Sequence, residues 1–144
     1  MSSNRYIVIV GCGRLGSQLA NQLSHAGDLV VVVDRDETRF EHLSAEFSGF
    51  RIEGDATQIA VLREAKVQDA DVVIASTQAD NVNLMVAQIA RKIFQVPQVL
   101  ARVYDPKREE VYSHLGIDPI CPTKVAANIF MQRLALPLGV EEVL

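Results

Sequence analysis

Along the chain, unbroken apolar runs alternate with apolar residues at helical spacing. Tyr6-Ile7-Val8-Ile9-Val10 and Leu29-Val30-Val31-Val32-Val33 carry no polar alternation, the pattern of strands covered on both faces in a parallel sheet between helix layers. Val72-Val73-Ile74-Ala75 repeats it. Phe50 to Glu53 and Val99-Leu100-Ala101-Arg102-Val103 add two strands, and Ile117 to Ile120, interrupted by Pro119, reads as a strand at the sheet edge. Between these runs the period changes to that of helices. Leu15, Leu19, Leu23 and Ala26 precede a stop at Gly27, and Phe40, Leu43 and Phe47 mark a second helix ending at Gly49. A short helix is expected from about Gln58 to Ala65 and a long one from about Asp80 to Phe94. Asp105-Pro106 starts another, which ends at Gly116. Pro122-Thr123 opens the last, with Val125, Ala126, Ile129, Phe130 and Leu134 on its apolar side, until Pro137 stops it.

Six strands alternating with helices predict a doubly wound α/β fold, a six-stranded parallel sheet of the Rossmann type in the order 3-2-1-4-5-6. With 144 residues the chain is long enough for one domain with a core that requires no disulfide or metal, and that domain is expected over 1–136 with a short tail at 137–144. Composition narrows the function. No apolar run approaches the ~20 residues of a membrane helix, although 49% of the residues are hydrophobic, so direct membrane insertion is not expected. The polar Met1-Ser2-Ser3-Asn4-Arg5 leads straight into the first strand and has none of the regions of a signal peptide, which makes the cytoplasm the expected compartment. A net charge of −4 argues against a nucleic-acid partner. Cys12 and Cys121 match no zinc or redox spacing and read as small apolar fillers.

The candidate chemistry lies where the first strand ends. Gly11-Cys12-Gly13-Arg14-Leu15-Gly16 follows a strand and precedes a helix, the context in which G-x-G-x-x-G binds a nucleotide. Gly11 allows the tight turn, Gly13 lets a pyrophosphate approach the backbone, and Gly16 lets the helix pack closely on the sheet. Asp34 ends the second strand about twenty residues later, where a carboxylate accepts from both ribose hydroxyls and repels a 2′-phosphate, with Arg35 beside it softening that preference. Arg14 places a cation in the first helical turn, against the macrodipole, which makes best sense with an anion between them. Gly54-Asp55-Ala56-Thr57 and Ser76-Thr77 close the third and fourth strands on the same sheet edge. Asp55 suits adenine or ribose, or a cap for the third helix, and Asp80, Asn81 and Asn83 read as caps. His25, His42 and His114 fall in predicted helices without a matched nucleophile or ligand spacing, so neither catalytic nor metal-binding residues are expected. A dehydrogenase would need a substrate pocket for which this chain has no residues left. The alternative, a cofactor-binding subunit of an NAD(P)-dependent oxidoreductase, would draw that pocket from another chain.

From Tyr6 to about Leu134 the sequence resembles the Trk-type N-terminal nucleotide-binding domain, also called KTN or RCK. The resemblance is carried by the Gly11–Gly16 turn with Arg14 at its fourth place, by Asp34 after a valine run, by Gly54-Asp55-Ala56-Thr57, and by Thr77 followed by Asp80 and Asn83. Ala101-Arg102-Val103, Leu115-Gly116-Ile117-Asp118 and Pro122 with Ala126-Ala127 continue it. It implies a cytoplasmic regulator that binds an adenine nucleotide, ATP, ADP or NAD(H). It also implies a homodimer, formed partly through the final helix and assembling into rings, that gates a membrane-embedded potassium transporter or channel at the inner face of the membrane. By position, Gly13, Arg14 and Leu15 would line the phosphates, Asp34 the ribose, Asp55 and Ala56 the adenosine end, and Thr77 the inner cleft. Arg102 would face phosphate or a neighbouring subunit. Thr123-Lys124 stand where many members carry an acidic residue, and members that continue into a second ligand-binding domain are longer than this chain.

Overall fold

The structure, a computed structural model, describes residues 4–135. Strands β1 (Tyr6–Val10), β2 (Leu29–Asp34), β3 (Phe50–Glu53), β4 (Val72–Ala75), β5 (Gln98–Arg102) and β6 (Asp118–Ile120) form one parallel sheet in the order β3-β2-β1-β4-β5-β6. That is the predicted doubly wound order. The reversal falls between β1 and its neighbours β2 and β4, so the crevice for a ligand opens at the carboxyl end of β1.

Each central strand is apolar on both sides because both sides are covered. Val8 and Val10 on β1, level with Val31 and Val33 on β2, join the core beneath α2 (Ile59–Glu64), α3 (Asp80–Gln88) and α4 (Glu109–His114), with Leu62, Val86 and Tyr112 pointing into it. Ile7, Ile9, Val30 and Val32 face the other way onto α1 (Arg14–His25), where Ala20 and Cys12 meet them. Pro119 lies on the edge strand β6, as its missing N–H requires.

The second helix expected over Phe40 to Gly49 does not form. Asp36 accepts from the Thr38 N–H and caps a 3₁₀ segment, Glu37–His42, that ends where Leu43 turns extended (φ −74°, ψ 142°). Leu43 and Phe47 still reach the core, but from irregular chain. The spacing that suggested a helix is the spacing of two separate contacts on the α1 face. The chain then runs so close to β2 that a Cβ at Gly49 would stand 2.0 Å from the Val30 carbonyl oxygen. The long fourth helix forms in two parts, α3 and a π-type turn over Ile89–Ile93 closed by Phe94 N–H to the Ile89 carbonyl. The Asp105–Gly116 helix likewise begins as a 3₁₀ turn, Pro106–Arg108, before α4.

The final helix, α5 (Pro122–Ala135), begins where expected, but every residue from Thr123 to Leu134 is exposed. Phe130, Met131 and Leu134 keep about two-thirds of their surface in solvent, at 70%, 65% and 71%. Its apolar side therefore does not fold back on the sheet. The stop at Pro137 and the 137–144 tail lie outside the described residues.

Candidate functional site

β1 ends in a turn that only glycine accommodates at two points. Gly11 adopts φ +104° and donates its N–H to the Val33 carbonyl, and a Cβ there would lie 3.0 Å from the Thr77 nitrogen. A Cβ at Gly16 would lie 1.8 Å from the Gly11 carbonyl oxygen and 2.9 Å from Ser76 Oγ, so α1 packs directly against the turn and the end of β4. Gly13 differs. The nearest atom to a Cβ built on it is Arg39 Nη1 at 3.9 Å, so this glycine faces the open cleft. α1 starts here with no side-chain cap and no acidic residue in its first turn, leaving its leading N–H groups and positive dipole end toward that cleft. Arg14, the first residue of the helix, is exposed at its mouth.

Asp34 is buried, with only 7% of its surface exposed, and braces the turn from β2. Its Oδ2 accepts from the Cys12 N–H at 2.8 Å and its Oδ1 from the Asp36 N–H at 2.8 Å. Each oxygen keeps a further lone-pair direction, enough for one ribose hydroxyl each. Cys12 contributes only backbone, since its thiol is buried in the α1-side core. Burial pushes that thiol up to about 11, the Asp34 carboxylate adds to the shift, and Arg51 and Arg39 oppose it.

At the end of β3, Gly54 donates to the Asp34 carbonyl. Asp55 Oδ1 accepts from the Thr57 hydroxyl at 2.7 Å and the Thr57 N–H at 2.9 Å, and these bonds hold its carboxyl below the usual carboxylate value. Asp55 thus caps the turn before α2, whose own N-cap position is Gln58, and not the helix itself. Ala56 is buried behind it. At the end of β4 the buried Ser76 Oγ donates to the Val10 carbonyl, tying the two central strands together under the glycine turn.

Asn83, expected as a cap, is fully buried. Its Oδ1 accepts from the Thr77 N–H at 2.9 Å and hydroxyl at 2.7 Å, and its Nδ2 donates to the carbonyls of Thr77 and Arg102. It locks the ends of β4 and β5 at the mouth of the cleft. Asp80 accepts from the Tyr104 N–H at 2.8 Å, and Asn81 accepts from Arg108, so both bridge to the segment after β5. Arg102 stacks on the Tyr104 ring, 4.4 Å from its centroid, while its buried Nε has no hydrogen-bond partner among the described residues.

These elements enclose a cleft of about 1040 Å³. Of the residues singled out in the sequence, Gly11, Gly13, Arg14, Leu15, Asp34, Arg35, Gly54, Asp55, Ala56, Ser76, Thr77 and Arg102 line it, whereas the Cys12 side chain and Gly16 lie beneath its floor. Asp36 and Arg39 are not singled out in the sequence and His42 reads there as a helix residue without chemistry, yet the 3₁₀ segment and its cap bring all three to the same cleft. His42 Nδ1 lies 2.9 Å from the Cys12 carbonyl oxygen, and since a carbonyl only accepts, the nitrogen carries the proton. The only signal for these three was their nearness in sequence to Asp34. His25 and His114 do not line the cleft, and no cluster of three metal-ligating side chains occurs among the described residues.

A parallel sheet in this order, with a glycine turn into an uncapped helix at the switch point and a carboxylate at the end of β2, defines a Rossmann-type domain. More narrowly, residues 7–122 match the model of the TrkA-N domain, and the chain belongs to that family. It is 43% identical over 136 residues to the Trk system potassium uptake protein TrkA of Streptomyces coelicolor, covering 94% of this chain and 60% of that protein. The chain thus spans less than two-thirds of the length of that relative. Among solved structures, the TrkA-N domain of inner membrane protein ybaL from Escherichia coli superposes with a TM-score of 0.81 at 19% identity, covering 93% of this chain and 99% of that one. The GsuK channel bound to NAD gives a TM-score of 0.68 at 26% identity, over 83% of this chain and 22% of that chain. No described helix is long and apolar enough to cross a membrane.

Proposed function

We propose that this chain is a regulatory adenine-nucleotide-binding domain of a potassium uptake system, acting from the cytoplasmic side on a membrane-embedded transporter or channel subunit. The observation that supports the reading is the open cleft above Gly13, lined by the uncapped start of α1, by Arg14 and by Asp34. Phosphate fits the first two and ribose the third. The relationship to TrkA of Streptomyces coelicolor supports the potassium system, and the NAD carried by the GsuK channel supports the ligand class.

The chain works as a sensor and carries out no reaction. One nucleotide stabilises one arrangement of an assembly more than another does, and that difference in affinity is the free energy available to move a pore. Assembly falls to α5, whose exposed Ile129, Phe130 and Leu134 suit the same face of a second copy in a homodimer, itself a unit of a ring. Titrating ATP, ADP, NADH and NADPH into the protein by calorimetry tests the reading. Saturable binding of at least one is expected, and heats indistinguishable from dilution for all four would remove it.

A further inference from the structure

From the 3₁₀ segment Glu37–His42 we infer that Arg39 is a second phosphate-gripping residue, closing over the glycine turn opposite Arg14, with His42 as the residue that positions it. The inference rests on the nucleotide-binding reading of the cleft and adds to it a specificity-determining side chain that arrives from outside the strand-end motifs. Three observations place the Arg39 guanidinium. Its Nη1 is the nearest atom to the position a Cβ would take on Gly13, at 3.9 Å. It lies close enough to Cys12 for its charge to act on the buried thiol. It lines the cleft together with Gly13 and Arg14.

The fork of Arg39 is also uncommitted. Its ion pair to Asp36 runs from Nε, at 3.8 Å, and leaves both terminal nitrogens without a hydrogen bond among the described residues. The Asp36 carboxylate is otherwise engaged by Thr38, through the N–H at 3.1 Å and the hydroxyl at 2.6 Å. A planar guanidinium with free terminal nitrogens is built for two-point contact with a phosphate. The segment that carries it is tied directly to the turn by the 2.9 Å bond from His42 Nδ1 to the Cys12 carbonyl, three residues beyond Arg39, and its cap Asp36 is tied to the turn through Asp34. His42 thus fixes the height at which Arg39 stands over Gly13. The recognised group is the phosphate chain of an adenine nucleotide. A 2′-phosphate is not, because the Asp34 carboxylate occupies the ribose side.

The test compares wild type, Arg39→Ala, Arg39→Lys and His42→Ala, by calorimetry, against adenosine, ADP, ATP, NADH and NADPH, with thermal melting of each variant as a control for folding. Arg39→Ala is expected to weaken ADP and ATP roughly tenfold and adenosine less than about twofold. Arg39→Lys should recover part of that loss, and His42→Ala should reproduce a smaller version of it. An equal loss for adenosine and ATP would overturn the inference in favour of stacking on the base, and a loss confined to NADPH would overturn it in favour of a 2′-phosphate. Unchanged affinities would also overturn it. Failure of wild type to bind any of the five would instead remove the nucleotide reading beneath it.

Discussion

Replacing Asp34 by alanine removes the brace that holds the glycine turn in place. Its two oxygens accept 2.8 Å bonds from the backbone N–H groups of Cys12 and Asp36. The two donors fare differently when the carboxylate is gone. Cys12 is fully buried, so its N–H loses a charge-assisted bond and finds no water, at about 1–3 kcal/mol. Asp36 is exposed and its N–H is rehydrated, so that bond contributes about 1 kcal/mol. The sum is about 2–4 kcal/mol. With a urea slope of about 2 kcal/mol per molar, the midpoint of unfolding should fall by about 1–2 M with the slope unchanged. Asp34→Asn keeps one acceptor and should fall about half as far. Equilibrium urea unfolding followed by circular dichroism measures both. A midpoint for Asp34→Ala within about 0.2 M of wild type would refute the reasoning, since the carboxylate could not then be carrying the turn.

Other consequences follow from the same contacts. Gly16→Ala pushes a Cβ to 1.8 Å from the Gly11 carbonyl oxygen, and displacement of α1 should cost about 3 kcal/mol or more in the same unfolding assay. The Cys12 thiol, raised to about 11 in the folded chain, keeps its proton there while the unfolded chain loses it above about 8.5. Unfolding then releases a proton, so stability should decline as pH rises from about 8.5 to about 11, and a Cys12→Ala variant should lack that part of the decline in thermal melts. For Asp55 the sign is opposite. Its carboxyl is held low by Thr57, so the turn is supported above the ordinary carboxylate value and loses that support as pH falls through the lowered one. Thr57→Val should bring the Asp55 midpoint, read by NMR titration, back toward about 3.9. On the homodimer proposed for α5, Phe130→Asp should lower the light-scattering mass to that of a single chain, because Phe130 is 70% exposed in the single chain and contributes to a partner-facing side.

The sheet was legible because burial on two faces leaves a plain mark. Ile7 and Ile9 point to one core and Val8 and Val10 to the other, so β1 shows no polar alternation, and the order of the whole sheet followed from the alternation of such runs with helices. The glycine turn and Asp34 were legible for a related reason, since backbone approach and a strand-end carboxylate restrict the residue types allowed. What remained hidden depended on contacts between segments far apart in sequence. Phe40, Leu43 and Phe47 have helical spacing, yet their places are set by separate contacts on the α1 face. Asn83 sits in the first turn of α3 like a cap, but its four bonds run to Thr77 and Arg102, and nothing local distinguishes a buried asparagine from a capping one. Arg39 and His42 reach the cleft from the 3₁₀ segment that forms between β2 and β3 where a longer helix was expected. The apolar side of α5 was visible as a pattern, while its exposure follows from where the helix leaves the body.

The central claim is that the space above Gly13 is the seat of a nucleotide phosphate. Gly13→Ala addresses it directly, because a Cβ there meets nothing closer than Arg39 Nη1 at 3.9 Å and fills only the cleft. Loss of glycine at the N-cap costs less than about 1 kcal/mol, so the variant should fold. Calorimetric titration of ADP into wild type and Gly13→Ala, each checked by thermal melting, should give binding to wild type and a loss of affinity of about tenfold or more in the variant. Equal ADP affinity in the two folded proteins would contradict the claim.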